Sequence, residues 1–302
     1  SECCYNVLAF QERRGLILDF INDFLRSQPD EGTALYGLMG TIGQALMTAL
    51  LIFYLIRMRV RWLDALKAVA IAYISWQFCG YAHDFLLWYQ TGFDPNLYST
   101  NAANLAVAFT LLPVVAWLCA KTFNTATAFA GDVAALTLLG YHIPGRSGCL
   151  FTGCCYGFPC DWGWYSHEAA SDAVHNAINQ GTPLPEADAL YTCFPTSLVE
   201  SLFTLGILIF ILVRICRRGY TPDGKNLPYF LLIYGICRFF SEMTRESTRD
   251  HWLFWRISDI HFHMLAMALV GGWMLYAILK REKAAVSTET EPSLPTLSGQ
   301  RK

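Results

Sequence analysis

The chain has 302 residues, of which 54% are hydrophobic and only 15% are charged, and its mean hydropathy is +0.32. Soluble globular domains are roughly 45–50% apolar and about 25% charged, so this composition excludes an ordinary soluble protein and indicates an integral membrane protein. A formal net charge of -2, with Lys and Arg in short clusters, excludes a nucleic-acid-binding surface.

The hydrophobic runs predict an all-α integral membrane protein with seven transmembrane helices. Residues 1–30 form an N-terminal extracytoplasmic segment, in which residues 8–25 alternate apolar and charged side chains at helical spacing and predict an amphipathic helix on the membrane surface. Residues 31–283 form the membrane domain, and residues 284–302 are predicted to be a disordered cytoplasmic tail. The predicted spans are 33–56, 68 to about 89, 101–120, 122–141, 195–213, 227–243 and 260–279.

Basic residues follow the first, third, fifth and seventh spans, which all end on one side of the membrane. The loops on the other side are poorer in Lys and Arg, with none in residues 91–100 and only Arg146 in residues 141–194. The positive-inside rule therefore predicts the N-terminus outside and the C-terminus inside. Residues 141–194 then form an extracytoplasmic, cysteine-rich loop domain in an oxidising compartment. The last outer loop, with Arg245, Arg249 and Arg256, departs from this pattern.

The sixth span carries charged residues that cost about 2.5–3.5 kcal/mol each near the centre of a bilayer. Tyr234, Arg238, Glu242 and Arg245 are four, four and three residues apart, so they share one face of a helix. Two interpretations stay open. The first is an internal Arg238–Glu242 pair that joins helices, and the second is a cationic site at the outer leaflet, since guanidinium groups suit phosphate.

Two further ionisable residues lie at the outer ends of predicted spans. Glu200, near the start of the fifth span, is expected to pair with Arg146 or Arg238; alternatively, it complements the dipole of its own helix. His142 precedes Arg146 by four residues and titrates near neutral pH, so it is the best base within reach along the sequence. The alternative for His142 is a histidine at the membrane interface without a chemical role.

Residues 141–160 combine polar and reactive side chains between two apolar segments, and they are the predicted working site. The cysteines of this outer region are Cys149, Cys154, Cys155, Cys160 and Cys193. Disulfide bridges are one interpretation, favoured for Cys160 and Cys193. A second is a thiolate nucleophile or lipid acceptor beside Arg146. A metal site of His142, Cys149 and one of the next two cysteines is disfavoured by the spacing. Thiol–disulfide exchange with a quinone is disfavoured because no Cys-x-x-Cys occurs.

Five short motifs share the order and spacing of motifs in one known family. They are YGLM at 36–39, DVAA at 132–135 with GRSG at 145–148, WG at 162–163, FPTSLVE at 194–200, and YGICRF at 234–239 with Glu242 and Arg245. Over residues 36–273 the chain resembles prolipoprotein diacylglyceryl transferases. The GCCYG sequence at 153–157 resembles a divergent, cysteine-rich branch of that family.

This resemblance implies a multi-pass enzyme of the bacterial inner membrane that acts in lipoprotein maturation. The family passes the diacylglyceryl group of phosphatidylglycerol, an anionic phospholipid, to the thiol of a prolipoprotein lipobox cysteine, with release of glycerol phosphate. No cofactor or metal is expected. The expected catalytic residues are His142, Arg146, Glu200, Tyr234 and Arg238. The expected substrate-binding residues are Gly145, Gly148, Cys149, Cys154, Cys155, Tyr156, Glu242 and Arg245.

The chemistry requires cations that hold a phosphate and a base for the thiol. Arg146 and Arg238 are expected to hold the phosphate, Glu200 to orient them or bind the head group, and Tyr234 to donate to an oxygen of the lipid. The chain also departs from the family: a His-Gly-Gly motif before the third span is replaced by residues 99–103, and cysteines stand where the family has Asn and Glu. A membrane thiol–disulfide redox protein that uses the cysteine-rich loop therefore stays open as the alternative.

Overall fold

The fold was derived from a computed structural model, which describes residues 17–27, 33–90, 102–184, 191–217, 222–245 and 259–289. Helix α1 is described over residues 17–26. The other elements, in chain order, are α2 (Thr33–Arg57), α3 (Trp62–Gln90), α4 (Ala102–Thr122), α5 (Thr127–Thr152), β1 (Pro159–Tyr165), α6 (His167–Gln180), β2 (Thr192–Cys193), α7 (Thr196–Arg217), α8 (Asn226–Glu242) and α9 (Asp259–Glu289).

The predominantly helical fold agrees with an all-α membrane protein. Among the described helices, three are long and apolar enough to cross a membrane: Ala34–Arg57, Thr196–Arg217 and Ile260–Ala284. A shorter apolar stretch covers Val107–Thr122 in α4. Many large apolar side chains on these helices are exposed, for example Ile56, Leu202 and Trp273, as expected for surfaces that face lipid.

Helix α5 lies at the centre of the helical bundle. It packs against α2, α3, α4, α7 and α8, and every residue from Phe129 to Gly140 is buried. Small residues dominate this stretch, so neighbouring helices approach its backbone closely. The one carboxylate there, Asp132, accepts a hydrogen bond of 3.0 Å from the hydroxyl of Tyr54. This bond compensates one of the two carboxylate oxygens, Oδ2, within the core.

The structure extends the fourth predicted span by eleven residues. The sequence predicted a loop from residue 141, whereas α5 continues to Thr152, so Gly145-Arg146-Ser147-Gly148 lies in a helix. The helix stops at Gly153, which adopts a left-handed conformation (φ 66°) and donates its N–H to the carbonyl of Leu150. Hydropathy ends the span too early, because the charge of Arg146 is compensated by an ion pair from a distant helix.

A small two-stranded antiparallel sheet, β1 with β2, lies outside the long helices and carries the segment around Trp162 that the sequence predicted to be strand-like. Helix α1 docks onto it through Asn22, whose side chain bonds the carbonyl of Gly163 at 3.4 Å and the N–H of Tyr165 at 2.9 Å. Cys160 and Cys193 lie on these two strands, but no disulfide joins them or any other pair of described cysteines. The disulfide favoured for this pair is therefore not formed.

Helix α9 continues through Glu289, so residues 284–289 are helical although the sequence predicted a disordered tail from residue 284. The composition of residues 280–285, rich in Lys, Glu and Ala, explains the difference, because these residues are good helix formers. Residues 290–302 of the predicted tail lie outside the described residues, as do the first part of the predicted amphipathic helix, residues 99–101, and Arg249 and Arg256.

Helices α8 and α9 touch backbone to backbone at Gly271. A Cβ atom there would lie 2.6 Å from the nitrogen of Leu232 and 2.8 Å from the oxygen of Pro228, whereas a Cβ at Gly272 would meet nothing nearer than 3.7 Å. We therefore expect Gly271→Ala to lower the free energy of unfolding by about 1–3 kcal/mol. Gly272→Ala is the matched control and should stabilise the helix by up to about 1 kcal/mol. Thermal unfolding in detergent measures both, and equal midpoints would contradict the contact.

Candidate active site

A buried carboxylate, Glu200, binds three guanidinium groups at the start of α7. Its side chain is 0% exposed. Arg146 in α5 places Nε 2.6 Å from Oε2, and Arg238 in α8 forms an ion pair with Oε1 through Nη1. Arg245, just beyond α8, places Nη2 3.8 Å from Oε1. Both partners that the sequence proposed for Glu200 therefore bind it, together with a third arginine.

The same face of α8 supplies a second carboxylate. Glu242 Oε2 lies 2.5 Å from Arg238 Nη2 and 3.6 Å from Arg245 Nε, which confirms the Arg238–Glu242 pair expected from the four-residue spacing. Arg238 Nη1 also donates to the hydroxyl of Ser241 at 3.1 Å. In this network three guanidinium groups face two carboxylates, so it carries one excess positive charge and favours an anion.

Three thiols lie beside the most exposed of these arginines. Arg146 Nη1 donates to Cys155 Sγ at 3.4 Å and to Cys149 Sγ at 3.9 Å. The sulfur atoms of Cys149, Cys154 and Cys155 all lie within 4.8 Å of one another. Arg146 therefore connects Glu200 to the thiol cluster, which we define as Cys149, Cys154 and Cys155.

The turn after α5 is attached to the end of α8, and this brings the thiol cluster and the arginines together. Gly157 pairs with Arg245 in an isolated antiparallel bridge, and its N–H bonds the carbonyl of Phe194 at 2.9 Å. The N–H of Phe158 bonds the carbonyl of Thr244 at 2.9 Å. These backbone bonds hold Arg245 beside the thiol cluster. No charge pattern in the sequence indicates such an arrangement.

Electrostatics distinguish the two thiols that follow α5. Hydrogen bonds from the thiols of Cys149 and Cys154, together with the positive charges of Arg245 and Arg146, hold the pKa of Cys155 well below its usual range. The pKa of Cys154 is raised, because its thiol donates to the two neighbouring sulfur atoms and is buried. Cys155 is therefore the most acidic thiol of the cluster.

His142 and Tyr234 form a second polar contact one turn deeper in the bundle. The hydroxyl of Tyr234 lies 2.8 Å from Nε2 of His142, and both side chains are buried. Phe109 packs edge-on against both rings, with centroids 5.7 Å away in each case. The two predicted residues thus meet each other, and Phe109 packs against both.

Three other residues were predicted to bind substrate: Gly148, Gly145 and Tyr156. Gly148 allows α2 to approach, since a Cβ there would lie 2.9 Å from the ring of Tyr36. A Cβ at Gly145 would meet no described atom within 4 Å, so nothing in the packing requires glycine at that position. Tyr156 is half-buried in the turn that joins the thiol cluster to β1.

Sequence reasoning gave no role to two residues that the structure brings to the site. Ser241 bonds Arg238 and also lies 3.5 Å from Glu200 Oε1. Ser241 lies three residues after Arg238 and four before Arg245, and this spacing could have predicted a hydroxyl on the charged face of α8. Ser201 lies one residue after Glu200, and its hydroxyl is 3.3 Å from that of Ser147. No sequence pattern indicates this second contact.

Comparison with known proteins identifies relatives of this arrangement. The model of the family described as prolipoprotein diacylglyceryl transferase matches residues 105–278, which include Arg146, Glu200 and Arg238. A phosphatidylglycerol–prolipoprotein diacylglyceryl transferase 2 from Clostridium perfringens (strain 13 / Type A) is 29% identical over 136 residues, which are 45% of this chain and 46% of the relative. The chain thus spans about half the length of that relative in the match.

Proposed function

Because the chain belongs to the prolipoprotein diacylglyceryl transferase family, we propose that it transfers the diacylglyceryl group of an anionic phospholipid, such as phosphatidylglycerol, to a lipobox cysteine of a prolipoprotein. A thioether forms and glycerol phosphate is released. The observation that carries this proposal is the buried network around Glu200, because it gathers three guanidinium groups, the side chains best suited to bind a phosphodiester, at one end of α7 and α8.

The enzyme works at the outer leaflet of the bacterial inner membrane, with seven spans (α2, α3, α4, α5, α7, α8 and α9), the N-terminus outside and the C-terminus inside. The basic ends of α2 and α7 lie together, because Arg57 Nη2 donates to the carbonyl of Cys216 at 2.9 Å. The network around Glu200 forms at the opposite ends of the helices, at the start of α7 and the end of α8. The positive-inside rule then assigns this network to the outer side.

Arg146 binds the phosphate of the lipid. It is 8% exposed, compared with 1% for Arg238 and 2% for Arg245, so it is the arginine of the network closest to a substrate that arrives from lipid. Glu200 fixes the guanidinium plane through Nε, and the sulfur atoms of Cys149 and Cys155 accept from Nη1, which leaves Nη2 for the phosphate. Arg238, bound by both carboxylates, stabilises the negative charge that develops on the leaving phosphate.

His142 and Tyr234 carry out the proton transfers of the reaction. With the His142 proton on Nε2, the hydroxyl of Tyr234 accepts from that nitrogen at 2.8 Å and donates its own proton to a phosphate or ester oxygen of the bound lipid. Nδ1 of His142, the nitrogen that does not contact Tyr234, accepts the proton of the incoming thiol. The backbone turn at Gly157 and the residues of the thiol cluster form the wall that the acceptor peptide approaches.

A direct assay tests this function. The purified full chain in detergent is incubated with phosphatidylglycerol and a lipobox peptide that contains one cysteine. We expect the peptide to gain the mass of one diacylglyceryl group and glycerol phosphate to appear in equal amount. A peptide with serine in place of that cysteine, and a zwitterionic phosphatidylcholine, are the controls and should give no product. If peptide thiols are oxidised or reduced instead and no lipid is transferred, the redox alternative replaces this function.

A further inference from the structure

Three sulfur atoms converge at the point where α5 ends. The Sγ atoms of Cys149, Cys154 and Cys155 lie within 4.8 Å of one another, and all three residues are buried or half-buried. Because Zn–S bonds are about 2.3 Å long, the sulfur atoms of a tetrahedral zinc site lie about 3.8 Å apart. The observed cluster therefore needs to contract by only about 1 Å to hold one ion, which small side-chain rotations provide.

The backbone adopts an uncommon conformation that permits this convergence. Cys155 has φ 62°, a left-handed value that costs a residue with a Cβ atom about 1–2 kcal/mol. In an extended chain, the consecutive side chains of Cys154 and Cys155 would point to opposite sides. Here both sulfur atoms meet that of Cys149. Such strain at a cluster of reactive groups is typical of functional sites.

The charge of the surroundings matches a divalent cation. A Zn²⁺ ion with three thiolate ligands carries a net charge of minus one, and the three guanidinium groups and two carboxylates of the Glu200 network carry plus one, so the two charges balance. Thiolate ligands select zinc over magnesium or calcium, and a cuprous ion would leave one negative charge uncompensated.

Arg146 supplies the hydrogen bonds that orient such ligands. Its Nη1 donates to Cys155 Sγ at 3.4 Å and to Cys149 Sγ at 3.9 Å, while its Nε is fixed by Glu200. Groups that donate to metal ligands from outside the coordination sphere commonly set ligand orientation and metal affinity. The guanidinium group therefore supports a thiolate site for a metal ion.

We infer that Cys149, Cys154 and Cys155 bind one Zn²⁺ ion as thiolate ligands, and that its fourth position takes the acceptor thiol. Catalytic zinc sites have three protein ligands and one open position. A thiol that binds zinc is deprotonated outright, which makes it a nucleophile. This acceptor role rests on the proposed function, whereas zinc binding by itself does not.

The transfer of the diacylglyceryl group involves no change in oxidation state. The acceptor thiol releases its proton to water, not directly to His142, when its sulfur binds zinc. That sulfur then forms a C–S bond with the glycerol methylene carbon of the phospholipid, while the C–O bond to the phosphate breaks. The electron pair of the broken bond stays on the phosphate oxygen, and Arg146 binds the glycerol phosphate that leaves.

Metal titration of the purified full chain tests the site without lipid or peptide. The chain is stripped with a chelator, then titrated with Zn²⁺ against a chromophoric chelator and with Co²⁺, whose thiolate complexes absorb in the near ultraviolet. We expect one ion per chain. Cys149→Ser, Cys154→Ser and Cys155→Ser should each weaken zinc binding by at least about 100-fold. Cys160→Ser, on the neighbouring strand β1, is the matched control and should bind zinc as tightly as the wild type.

Two results would overturn the zinc site: no thiolate-to-cobalt absorption in the wild type, or wild-type affinity in Cys154→Ser. If the serine variants do not fold, thermal unfolding of the wild type decides, because a bound ion must raise the midpoint and an unchanged midpoint contradicts the site. A chain that transfers lipid but binds no zinc overturns this inference alone. A chain that binds zinc but transfers nothing supports the site and overturns its acceptor role together with the proposed function.

Discussion

The Glu200→Gln variant is expected to lose about 3–5 kcal/mol of unfolding free energy and all measurable lipid transfer. The neutral amide has nearly the same shape, so the change removes charge and little else. Arg146, Arg238 and Arg245 would then share only the carboxylate of Glu242 in a buried environment, and the excess positive charge would double. Unfolding of the detergent-solubilised protein by increasing fractions of SDS measures the stability.

An ion pair with an exposed carboxylate provides the control for this prediction. Lys225 Nζ lies 2.5 Å from Glu282 Oε2, but the Glu282 side chain is 50% exposed. Glu282→Gln should therefore cost no more than about 1 kcal/mol, because water and ions screen the exposed charge. If Glu200→Gln were as mild as Glu282→Gln, the three guanidinium groups would not depend on Glu200, and the network would have to be compensated elsewhere.

Periodicity and hydropathy located the long helices well, since burial in lipid or in a helical core depends on apolar length. They failed at the end of α5, where Arg146 interrupts the apolar sequence but lies in the helix. A hydropathy window treats an arginine as solvated, whereas this one is neutralised by Glu200, 54 residues later in the chain. A hydropathy average over neighbouring residues cannot detect an ion pair between residues that are far apart in the sequence. The helix α6 was missed for the related reason that its composition is polar.

One part of the candidate site was predicted from the sequence and another part was not. Tyr234, Arg238, Glu242 and Arg245 were predicted to share one face because they are four, four and three residues apart. The thiol cluster was not predicted as a unit, because its cysteines lack the spacing of known zinc motifs. Their convergence depends on a left-handed residue, Cys155, and on backbone bonds from the turn to the end of α8. Neither feature has a signature in the residue pattern.

The second large effect is expected at Arg146, where lysine should lower the turnover number of lipid transfer by about 10²–10³-fold. A guanidinium group bonds Glu200 through Nε and presents its other nitrogen atoms to sulfur or phosphate at the same time. A lysine ammonium is a single point charge on a flexible chain, so it satisfies either the carboxylate or the substrate. We expect the loss mainly in turnover and less in KM, because the contact strengthens as charge develops on the leaving phosphate.

Arg214→Lys distinguishes this catalytic effect from loss of a buried arginine in general. Arg214 is comparably enclosed: it bonds Asp223 at 2.8 Å and Asn226 at 3.2 Å, and lies 4.6 Å above the ring of Tyr229. It belongs to the opposite ends of the helices, far from Glu200, so its replacement should lower stability without slowing transfer. Equal losses of turnover in both variants would mean that Arg146 acts through stability alone. A loss confined to Arg146→Lys, measured at a temperature where both variants are folded, would assign the phosphate to Arg146.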